Sequence, residues 1–401
     1  MKSNFFIENR QRLVESLHAS LIVVAGWTSM QWHGDSAVPF RQEANFWYLT
    51  GVEYADWRLV IDGDEGKTWL IAPDINEVQQ LFDGSLSPEI AKSISGVDSV
   101  IGSREGKELL LKLAKKHRTV HSLVPPPSGK HIGFMRNPAP EILYQDLSKM
   151  FSAVKDSRKV LARLRAVKLP VEIEIMQRAA QVSAEAFEDV KSKLQTRRYE
   201  YEVEAEIGYY YRRHNADHAF EPIVASGKNA CTLHYVANAA KLQSRQLVLI
   251  DSGARLDGYS ADITRTHTTG EPTARQRAVH EAVRSAEGQI TALIRPGTAI
   301  KAYTESVDAI MKEVLVSLGL MRSKSSTTAY RRYFPHAISH GLGIDVHEGL
   351  GGFSEFLPGM VLTVEPGVYI PEESIGVRVE NTILVTDSAS KNLTGDLSTD
   401  L

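Results

Sequence analysis

The sequence contains a single cysteine, Cys231, which excludes any disulfide within the chain. A lone thiol without a positioned basic partner is typical of a small buried side chain rather than of a catalytic nucleophile. The opening segment, MKSNFFIENRQRLVESL, lacks the sustained apolar core and the small-residue cleavage site of a signal peptide. We therefore expect this protein to be cytoplasmic.

Long hydrophobic runs and blocks of like charge are also missing. No stretch approaches the ~18 consecutive apolar residues that a membrane-spanning helix requires. The 46 basic and 49 acidic side chains are interspersed and give a formal net charge of −3. A mixed surface of this kind indicates neither a nucleic acid nor a membrane as partner. The 401 residues, 43% of them hydrophobic, are sufficient for two domains with cores of their own.

Residues 1–160 are predicted to form a smaller α/β domain, because strand patterns alternate there with helical ones. All five tryptophans fall in this region, and the proline run at residues 125–127 indicates a surface connection. The pattern predicts a helix over residues 9–18 and strands over residues 21–25, 46–49, 58–61 and 68–71.

Residues 161–401 are predicted to form the larger domain, of the α+β class, with helices around a largely antiparallel sheet. A helical pattern over residues 157–167 leads into this domain and resumes at Pro170. Further helices are predicted over residues 201–213, 274–293 and 300–318. Two β-type segments of the same domain end their strands in acidic residues, and these acids indicate the function.

Residues 247–266, LVLIDSGARLDGYSADITRT, predict a β-hairpin with an acid on each strand. Four apolar residues lead into Asp251, and Asp257-Gly258 signals a turn before a second strand. If the loop spans residues 255–258, Asp251 and Asp262 lie directly opposite each other, with Cβ atoms ~4.5–5.5 Å apart. Two carboxylates so close destabilise a sheet unless a cation lies between them, which indicates a metal site.

The same arrangement recurs in residues 361–385, VLTVEPGVYIPEESIGVRVENTILV. Strand patterns lead into Glu365 and into Glu380. A loop near residues 371–374 centres the hairpin between residues 372 and 373. The second pair of acids is therefore also predicted to face each other.

Three histidines, His336, His340 and His347, lie between the hairpins in FPHAISHGLGIDVHE. Ala337 follows the first of them, so the HExxH motif of zinc peptidases is absent. One imidazole with four carboxylates is a hard, oxygen-rich ligand set that suits Mn²⁺, Co²⁺ or Zn²⁺. Two such ions ~3.5–4 Å apart activate a shared water near neutral pH. The predicted ligands of two divalent ions, with Mn²⁺ preferred, are Asp251, Asp262, His340, Glu365 and Glu380.

Several blocks of the chain resemble the pita-bread metallopeptidases, in particular aminopeptidase P and prolidase, which act on Xaa-Pro bonds. The blocks are DSGARLDGYSADITRT, HAISHGLGIDVHE, LTVEPGVYI and GVRVENTILVT, and PFRQEANFWYLTGVEY resembles the start of aminopeptidase P. The resemblance implies a pita-bread fold for the larger domain. It also implies that Asp262 and Glu380 bridge the two ions. Asp251 would complete the ligands of one ion, and His340 and Glu365 those of the other.

The resemblance also implies roles for supporting residues. His234, His336 and His347 correspond to histidines that bind substrate and handle protons in the family, and Arg378 corresponds to its active-site arginine. Glu365 would accept a proton and hand it on. The implied reaction is hydrolysis of the bond between an N-terminal residue and a following proline, whose nitrogen carries no hydrogen. Activity should fall below about pH 6, where a histidine ligand with a pKa of ~6.5 begins to protonate.

Aminopeptidase activity on proline-containing peptides is favoured, because the FRQEANFWYLTG block is typical of aminopeptidase P. Two alternatives stay open: a prolidase that cleaves only Xaa-Pro dipeptides, and a non-catalytic pita-bread binding module. A prolidase needs a cation for the carboxylate after proline, for which the N-terminal region offers Arg41 or Arg58. The resemblance also implies a homodimer or larger homo-oligomer. Because the first region carries every tryptophan and the larger domain supplies every ligand, we expect the first region to close a neighbour's active site.

Overall fold

The structure is a computed structural model that describes residues 1–125, 134–395 and 397–401. The chain divides into two compact units, Met1–Leu164 and Arg165–Leu401. The boundary predicted from the sequence lay between residues 160 and 161. Two residues of the predicted proline connection, 126 and 127, lie outside the described residues. No helix in the described part of the chain is long and apolar enough to cross a membrane.

The first unit is built on a six-stranded mixed sheet with helices around it. Its helices are Ser3–Leu17 (α1), Ala44–Thr50 (α2), Glu77–Phe82 (α3), Pro88–Ser95 (α4), Ser103–Lys116 (α5), Ala139–Met150 (α6) and, at the boundary, Arg158–Ala166 (α7). Its strands are Leu21–Ala25 (β1), Gln31–His33 (β2), Ser36–Ala37 (β3), Arg58–Asp62 (β4), Lys67–Ile71 (β5), Ser99–Ile101 (β6), Thr119–Ser122 (β7) and Ala153–Asp156 (β8). The sheet order β6-β5-β4-β1-β7-β8 combines parallel and antiparallel pairs, which confirms the predicted α/β architecture.

One predicted strand of the first unit is a helix. Residues 46–49 lie in α2, because the Glu43 carboxylate caps the helix and accepts a hydrogen bond from Phe46 N–H at 2.6 Å. Gly51 ends the helix in the left-handed conformation, with a φ of 68°. The aromatic side chains that suggested a strand are buried, and these two caps outweigh their β propensity. The first helix also begins earlier than predicted, at Ser3.

The second unit alternates helices with short antiparallel sheets. Its α-helices are Pro170–Lys193 (α8), Glu200–Arg213 (α9), Ala274–Thr291 (α10), Ile300–Ser317 (α11) and Thr327–Tyr333 (α12), with 3₁₀ turns at Leu194–Thr196, Gly227–Cys231 and Pro371–Glu373. Its strands are Asp217–His218 (β9), Ile223–Ser226 (β10), Leu247–Ser252 (β11), Ala254–Leu256 (β12), Tyr259–Ser260 (β13), Ile263–Thr268 (β14), Val361–Val364 (β15), Gly367–Ile370 (β16), Ile375–Arg378 (β17), Asn381–Val385 (β18) and Ser390–Asn392 (β19). Every strand ladder assigned within this unit's described residues is antiparallel, which confirms the predicted α+β class.

Helix α10 anchors the strands of the second hairpin through a shared apolar core. Val279, Val283, Ala286 and Ile290 recur every three or four residues along α10, and each is fully buried. They belong to one cluster with apolar side chains from β15 to β18. Burying a valine or isoleucine contributes ~1.5–3 kcal/mol. This packing holds the strands that lead into the second acid pair.

The first predicted hairpin forms with a tighter turn than expected. Strands β12 and β13 pair Leu256 with Tyr259, which leaves only Asp257 and Gly258 in the turn. Both turn residues have positive φ, 48° and 88°, as the type I′ turn of a two-residue hairpin requires. The predicted four-residue loop is therefore wrong.

The tighter turn changes the register, so the predicted pairing of Asp251 with Asp262 is wrong. Strands β11 and β14 instead pair Asp251 with Thr264. Asp262 lies just before β14, where its backbone carbonyl accepts a hydrogen bond from Thr382 Oγ1 at 2.9 Å. The two aspartates are offset along the hairpin, and both are buried.

The second hairpin has the predicted register. Strands β15 and β18 pair Val364 with Asn381, and β16 and β17 continue the same register toward the turn. Both ladders are centred between residues 372 and 373. Glu365 and Glu380 therefore occupy opposite positions in the gap between the two ladders.

Candidate metal centre and active site

One cavity of the second unit, about 310 Å³ in volume, is lined by all nine site residues predicted from the sequence. The five predicted metal ligands and the four supporting residues thus come together, although they are spread over almost 150 positions. The nine are His234, Asp251, Asp262, His336, His340, His347, Glu365, Arg378 and Glu380.

Backbone hydrogen bonds connect the second hairpin to the first hairpin and to the histidine segment, and so bring the acids together. Glu380 N–H donates to Thr264 O and Glu365 N–H donates to Ile338 O, each at 3.0 Å. The side chain of Thr264 also donates to Glu380 Oε2, at 2.6 Å. Because Thr264 is the β14 residue that pairs with Asp251, it connects an acid of each hairpin.

His340 is oriented as a metal ligand. Its Nδ1–H donates to Gly341 O at 3.0 Å, and this bond leaves the lone pair of Nε2 free. His340 Nε2 lies 3.5 Å from Asp262 Oδ2 and 3.4 Å from Glu365 Oε1. Burial lowers the pKa of His340 to about 4, so the ring is neutral at physiological pH.

The four carboxylates have the properties of ligands for divalent cations. Burial raises the pKa values of Asp262, Glu365 and Glu380, and repulsion from neighbouring acids raises them further; Glu365 reaches about 7. The Oδ1 atom of Asp251 is buried and has no hydrogen-bond partner among the described residues. Ligand atoms of Asp262, His340 and Glu380 lie within 4.8 Å of one another. Two divalent ions would balance the four negative charges and give the orphaned oxygen a partner, so the donor set fits them.

The buried guanidinium of Arg378 is fixed beside these acids. It forms an ion pair with Asp251 Oδ2, and its Nε–H donates to Thr264 Oγ1 at 3.0 Å. Its third nitrogen donates to Tyr369 Oη at 2.9 Å. With all three nitrogens engaged, the planar group is held in one orientation.

Tyr369 is a site residue that the sequence reasoning missed. Its hydroxyl contacts Arg378 and lies 2.8 Å from His336 Nε2. His336 Nδ1–H donates to Ala337 O at 2.7 Å, so Nε2 is the acceptor and the tyrosine hydroxyl donates. The signal was available, because Gly367 pairs with Arg378 and strand alternation puts Tyr369 on the same face as Gly367.

His347 and His234 complete the histidines of the cavity. The ring of His347 meets the ring of His340 edge-on, with 4.4 Å between centroids. Burial, followed by the nearby His234, lowers the pKa of His347, which favours its neutral form. The rings of His347 and His234 are available on this wall for hydrogen bonds to a substrate.

A buried ion network supports the segment that carries the histidine ligand. Glu348 accepts hydrogen bonds from Arg165, from Lys168 Nζ at 3.1 Å and from two backbone N–H groups. Burial alone would raise the pKa of Glu348, but the charges of Arg165 and Lys168 lower it to about 2. Its backbone N–H donates to Gly341 O, the same carbonyl that accepts from His340. The network therefore supports the orientation of the histidine.

Two antiparallel hairpins with four acids, of which Glu365 is half-buried and the others are buried, and a neutral histidine define a metal-dependent enzyme. Residues 174–387 match metallopeptidase family M24, and residues 6–121 match the aminopeptidase P N-terminal domain. The chain therefore belongs to metallopeptidase family M24, and the resemblance seen in the sequence is confirmed.

Relatives match the chain along most of its length. It is 34% identical to the Xaa-Pro aminopeptidase of Escherichia coli (strain K12), over 98% of this chain and 94% of that protein. It is 30% identical to Xaa-Pro aminopeptidase 3 of Homo sapiens, over 94% of this chain and 78% of that protein. The similarity to the Xaa-Pro dipeptidase of Pyrococcus furiosus, at 34% identity, covers only 61% of this chain and 68% of that protein.

Solved structures show the same fold. The low-pH form of aminopeptidase P from E. coli has a TM-score of 0.88 at 30% identity, covering 100% of this chain and 96% of that one. Proline aminopeptidase P II from Yersinia pestis has a TM-score of 0.87 at 30% identity, covering 100% of this chain and 98% of that one. The predicted pita-bread fold with a separate N-terminal domain is confirmed.

Proposed function

We propose that this chain is a metal-dependent Xaa-Pro aminopeptidase, which hydrolyses the bond between an N-terminal residue and a following proline. The observation that carries the proposal is the convergence of all nine predicted site residues on one cavity. Similarity to proteins named Xaa-Pro aminopeptidase over nearly the whole chain supports it. The complete set of acids and histidines argues against a binding module without catalysis.

The metal ligands in this proposal are Asp251, Asp262, His340, Glu365 and Glu380, which would hold two divalent ions. Mn²⁺ is the proposed metal, with Co²⁺ and Zn²⁺ as alternatives, because oxygen donors dominate the set. Such ions, when bound, polarise a carbonyl oxygen and lower the pKa of a water. A Zn-substituted form of E. coli aminopeptidase P has been solved with product.

Glu365 is the residue proposed to move the proton. Its carboxylate lines the cavity, 3.4 Å from His340 Nε2, where it could accept a proton from the attacking water and release it to the leaving group. Thr363 Oγ1 donates to Glu365 Oε1 at 3.2 Å and steadies the carboxylate. The proton that Glu365 accepts from the attacking water would pass to the proline nitrogen as the peptide bond breaks.

The histidine wall is proposed to bind and orient the peptide. Burial lowers the pKa of His336 to about 4, so this ring is neutral and its orientation is set by Tyr369 and Ala337. His347 and His234 face the same cavity. Hydrogen bonds from the ring N–H groups of His347 and His234 to substrate oxygens would stabilise the negative charge that develops during the attack. His336, with both ring nitrogens engaged, would orient the peptide by contact.

The apolar part of the wall suits the ring of a proline. Phe220, Leu233 and Val346 line the cavity together with the histidines. A proline nitrogen carries no hydrogen, so it needs no acceptor from such a wall. Another residue at this position would bring an N–H group, and leaving that group buried and unpaired costs ~1–3 kcal/mol.

The decisive measurement is kcat/KM with saturating Mn²⁺ for Ala-Pro-Ala, Ala-Pro and Ala-Ala-Ala. We expect Ala-Pro-Ala to be the best substrate and Ala-Ala-Ala the poorest. Activity confined to Ala-Pro would identify a prolidase, the second candidate, which the partial similarity to the P. furiosus dipeptidase supports. Failure of the metal-loaded protein to cleave any Xaa-Pro bond would refute both.

A cytoplasmic homodimer or larger homo-oligomer is proposed as the active form. The support is the exposure of Trp27 and Trp32, whose side chains are 36% and 65% accessible in the first unit. The single cysteine supports a reducing compartment. A monomeric mass by light scattering at micromolar concentration, together with full activity of the same sample, would refute the proposed oligomer. Activity recovered outside the cytoplasmic fraction would refute the proposed compartment.

A further inference from the structure

Glu221 is a carboxylate of the catalytic cavity that the metal centre does not use. It lines the cavity, and its side chain is exposed. Apart from the four proposed metal ligands, it is the only carboxylate among the described lining residues. Within the part of the chain that the structure describes, it makes no hydrogen bond or ion pair. This carboxylate is therefore available to a cation that a substrate brings.

The backbone determines where this carboxylate lies. Pro222 follows Glu221, and a residue before proline is restricted to extended conformations, so Glu221 continues the direction of β10. Side chains two residues apart on an extended strand share a face, and Glu221 and Ile223 both line the cavity. Ile223 pairs with the proposed ligand Asp251, and Glu221 lies two residues before Ile223. The backbone of Glu221 is therefore about 7 Å along the strand from the residue opposite Asp251.

We infer that Glu221 selects peptides whose first residue has a cationic side chain, lysine or arginine. This inference rests on the proposed aminopeptidase function. The α-ammonium group of a peptide is two bonds from the carbonyl carbon that is attacked, so it must lie beside the metal ligands. Because the backbone of Glu221 is about 7 Å further along the strand, its carboxylate is matched by the end of a long side chain rather than by the α-ammonium group.

The rest of the cavity suits the same kind of side chain. Arg378 is the only lysine or arginine among the described lining residues, and it is already paired with Asp251. Val236 lines the same cavity and offers an apolar surface to the methylene stem of a lysine. A lysine at the first position would therefore bury its stem and place its ammonium group at Glu221.

The test is the selectivity of the full-length, Mn²⁺-loaded enzyme for Lys-Pro-Ala over norleucine-Pro-Ala. The two peptides share a four-carbon side-chain stem, and only lysine carries the terminal ammonium group. We expect the wild type to prefer the lysine peptide. Glu221→Gln should lower the ratio of the two kcat/KM values about three- to fivefold, as expected for a partly exposed ion pair. Added salt should lower the wild-type ratio toward that of the variant.

Glu355→Gln is the matched control, because Glu355 is exposed and is not among the cavity residues, and it should keep the wild-type ratio. Calorimetric titration of the metal-free protein, which cannot turn the peptides over, gives the dissociation constants of the two peptides. Their ratio provides the same comparison for binding. A ratio unchanged by Glu221→Gln would overturn the inference. An equal fall for both peptides would also overturn it, because the carboxylate would then serve the α-ammonium group. If the wild type binds both peptides but cleaves neither, the proposed function fails while the binding ratio still tests Glu221.

Discussion

Replacing Glu348 by glutamine tests whether the buried ion network holds the active-site segment. The charges of Arg165 and Lys168 lower the pKa of Glu348 from 4.5 to about 2 despite its burial. That difference corresponds to about 3 kcal/mol of stability at neutral pH. Removing one partner of a buried ion pair typically costs about 3–5 kcal/mol. We therefore expect Glu348→Gln to lose about 3 kcal/mol of unfolding free energy in the second unit.

Urea unfolding followed by far-UV circular dichroism measures this loss. All five tryptophans belong to the first unit, so tryptophan fluorescence recorded in parallel reports on that unit alone. The unfolding transition seen by circular dichroism but not by tryptophan fluorescence belongs to the second unit. Its urea midpoint should be lower in Glu348→Gln than in the wild type. The same midpoint should be unchanged in Glu355→Gln. This variant makes the same chemical change at an exposed side chain and therefore serves as the control. A loss below about 1 kcal/mol would refute the reasoning from burial and pairing.

The pH dependence gives the same prediction a second, independent check. Because the pKa of Glu348 is lowered in the folded state, its contribution is fully present above the unfolded value of 4.5. It is lost as the pH falls toward about 2, where the folded carboxylate protonates. The difference in stability between wild type and variant should therefore shrink below about pH 5. A difference that stayed constant down to the acid transition would contradict the assigned pairing.

Three further predictions concern the metal centre. Asp262→Asn should abolish turnover and reduce the bound Mn²⁺ measured by metal analysis, whereas full activity would refute the dinuclear site. Tyr369→Phe should lower kcat about 10- to 100-fold with unchanged metal content, since it removes the hydroxyl that orients His336 and Arg378. An unchanged kcat would exclude the tyrosine from the mechanism. Metal affinity should weaken below pH 7, because burial raises the pKa values of Asp262, Glu365 and Glu380, that of Glu365 to about 7, and their protons compete with the metal. His340, with a pKa of about 4, competes only in stronger acid. Calorimetric Mn²⁺ titrations that gave one affinity from pH 8 to pH 5 would contradict this assignment.

The sequence predicted the second hairpin correctly and the first one only in part, for a physical reason. Glu365 and Glu380 face each other because their loop is centred on a turn that the proline marks, so counting outward from it gave the correct register. In the first hairpin, Asp257 and Gly258 both have positive φ and close the turn in two residues. The centre of this turn differs from the predicted one, so every residue pair between the two strands differs as well. Residues 46–49 were predicted as a strand because aromatic side chains favour strands in general. They form a helix because the Glu43 carboxylate caps its first turn.

The pH below which activity is lost could not be predicted from the sequence, because it depends on pKa shifts that burial causes. The ordinary pKa of histidine placed the limit at His340, but burial lowers that pKa to about 4 and raises the pKa of Glu365 to about 7. Both shifts come from desolvation, which depends on how the hairpins and the histidine segment pack and not on residue type. The same packing orients His340 through Gly341 O before any ion arrives. Because the chain itself makes this orienting bond, metal binding need not rotate the imidazole. The affinity for the ions should therefore follow the protonation of Asp262, Glu365 and Glu380 rather than a rearrangement of the histidine.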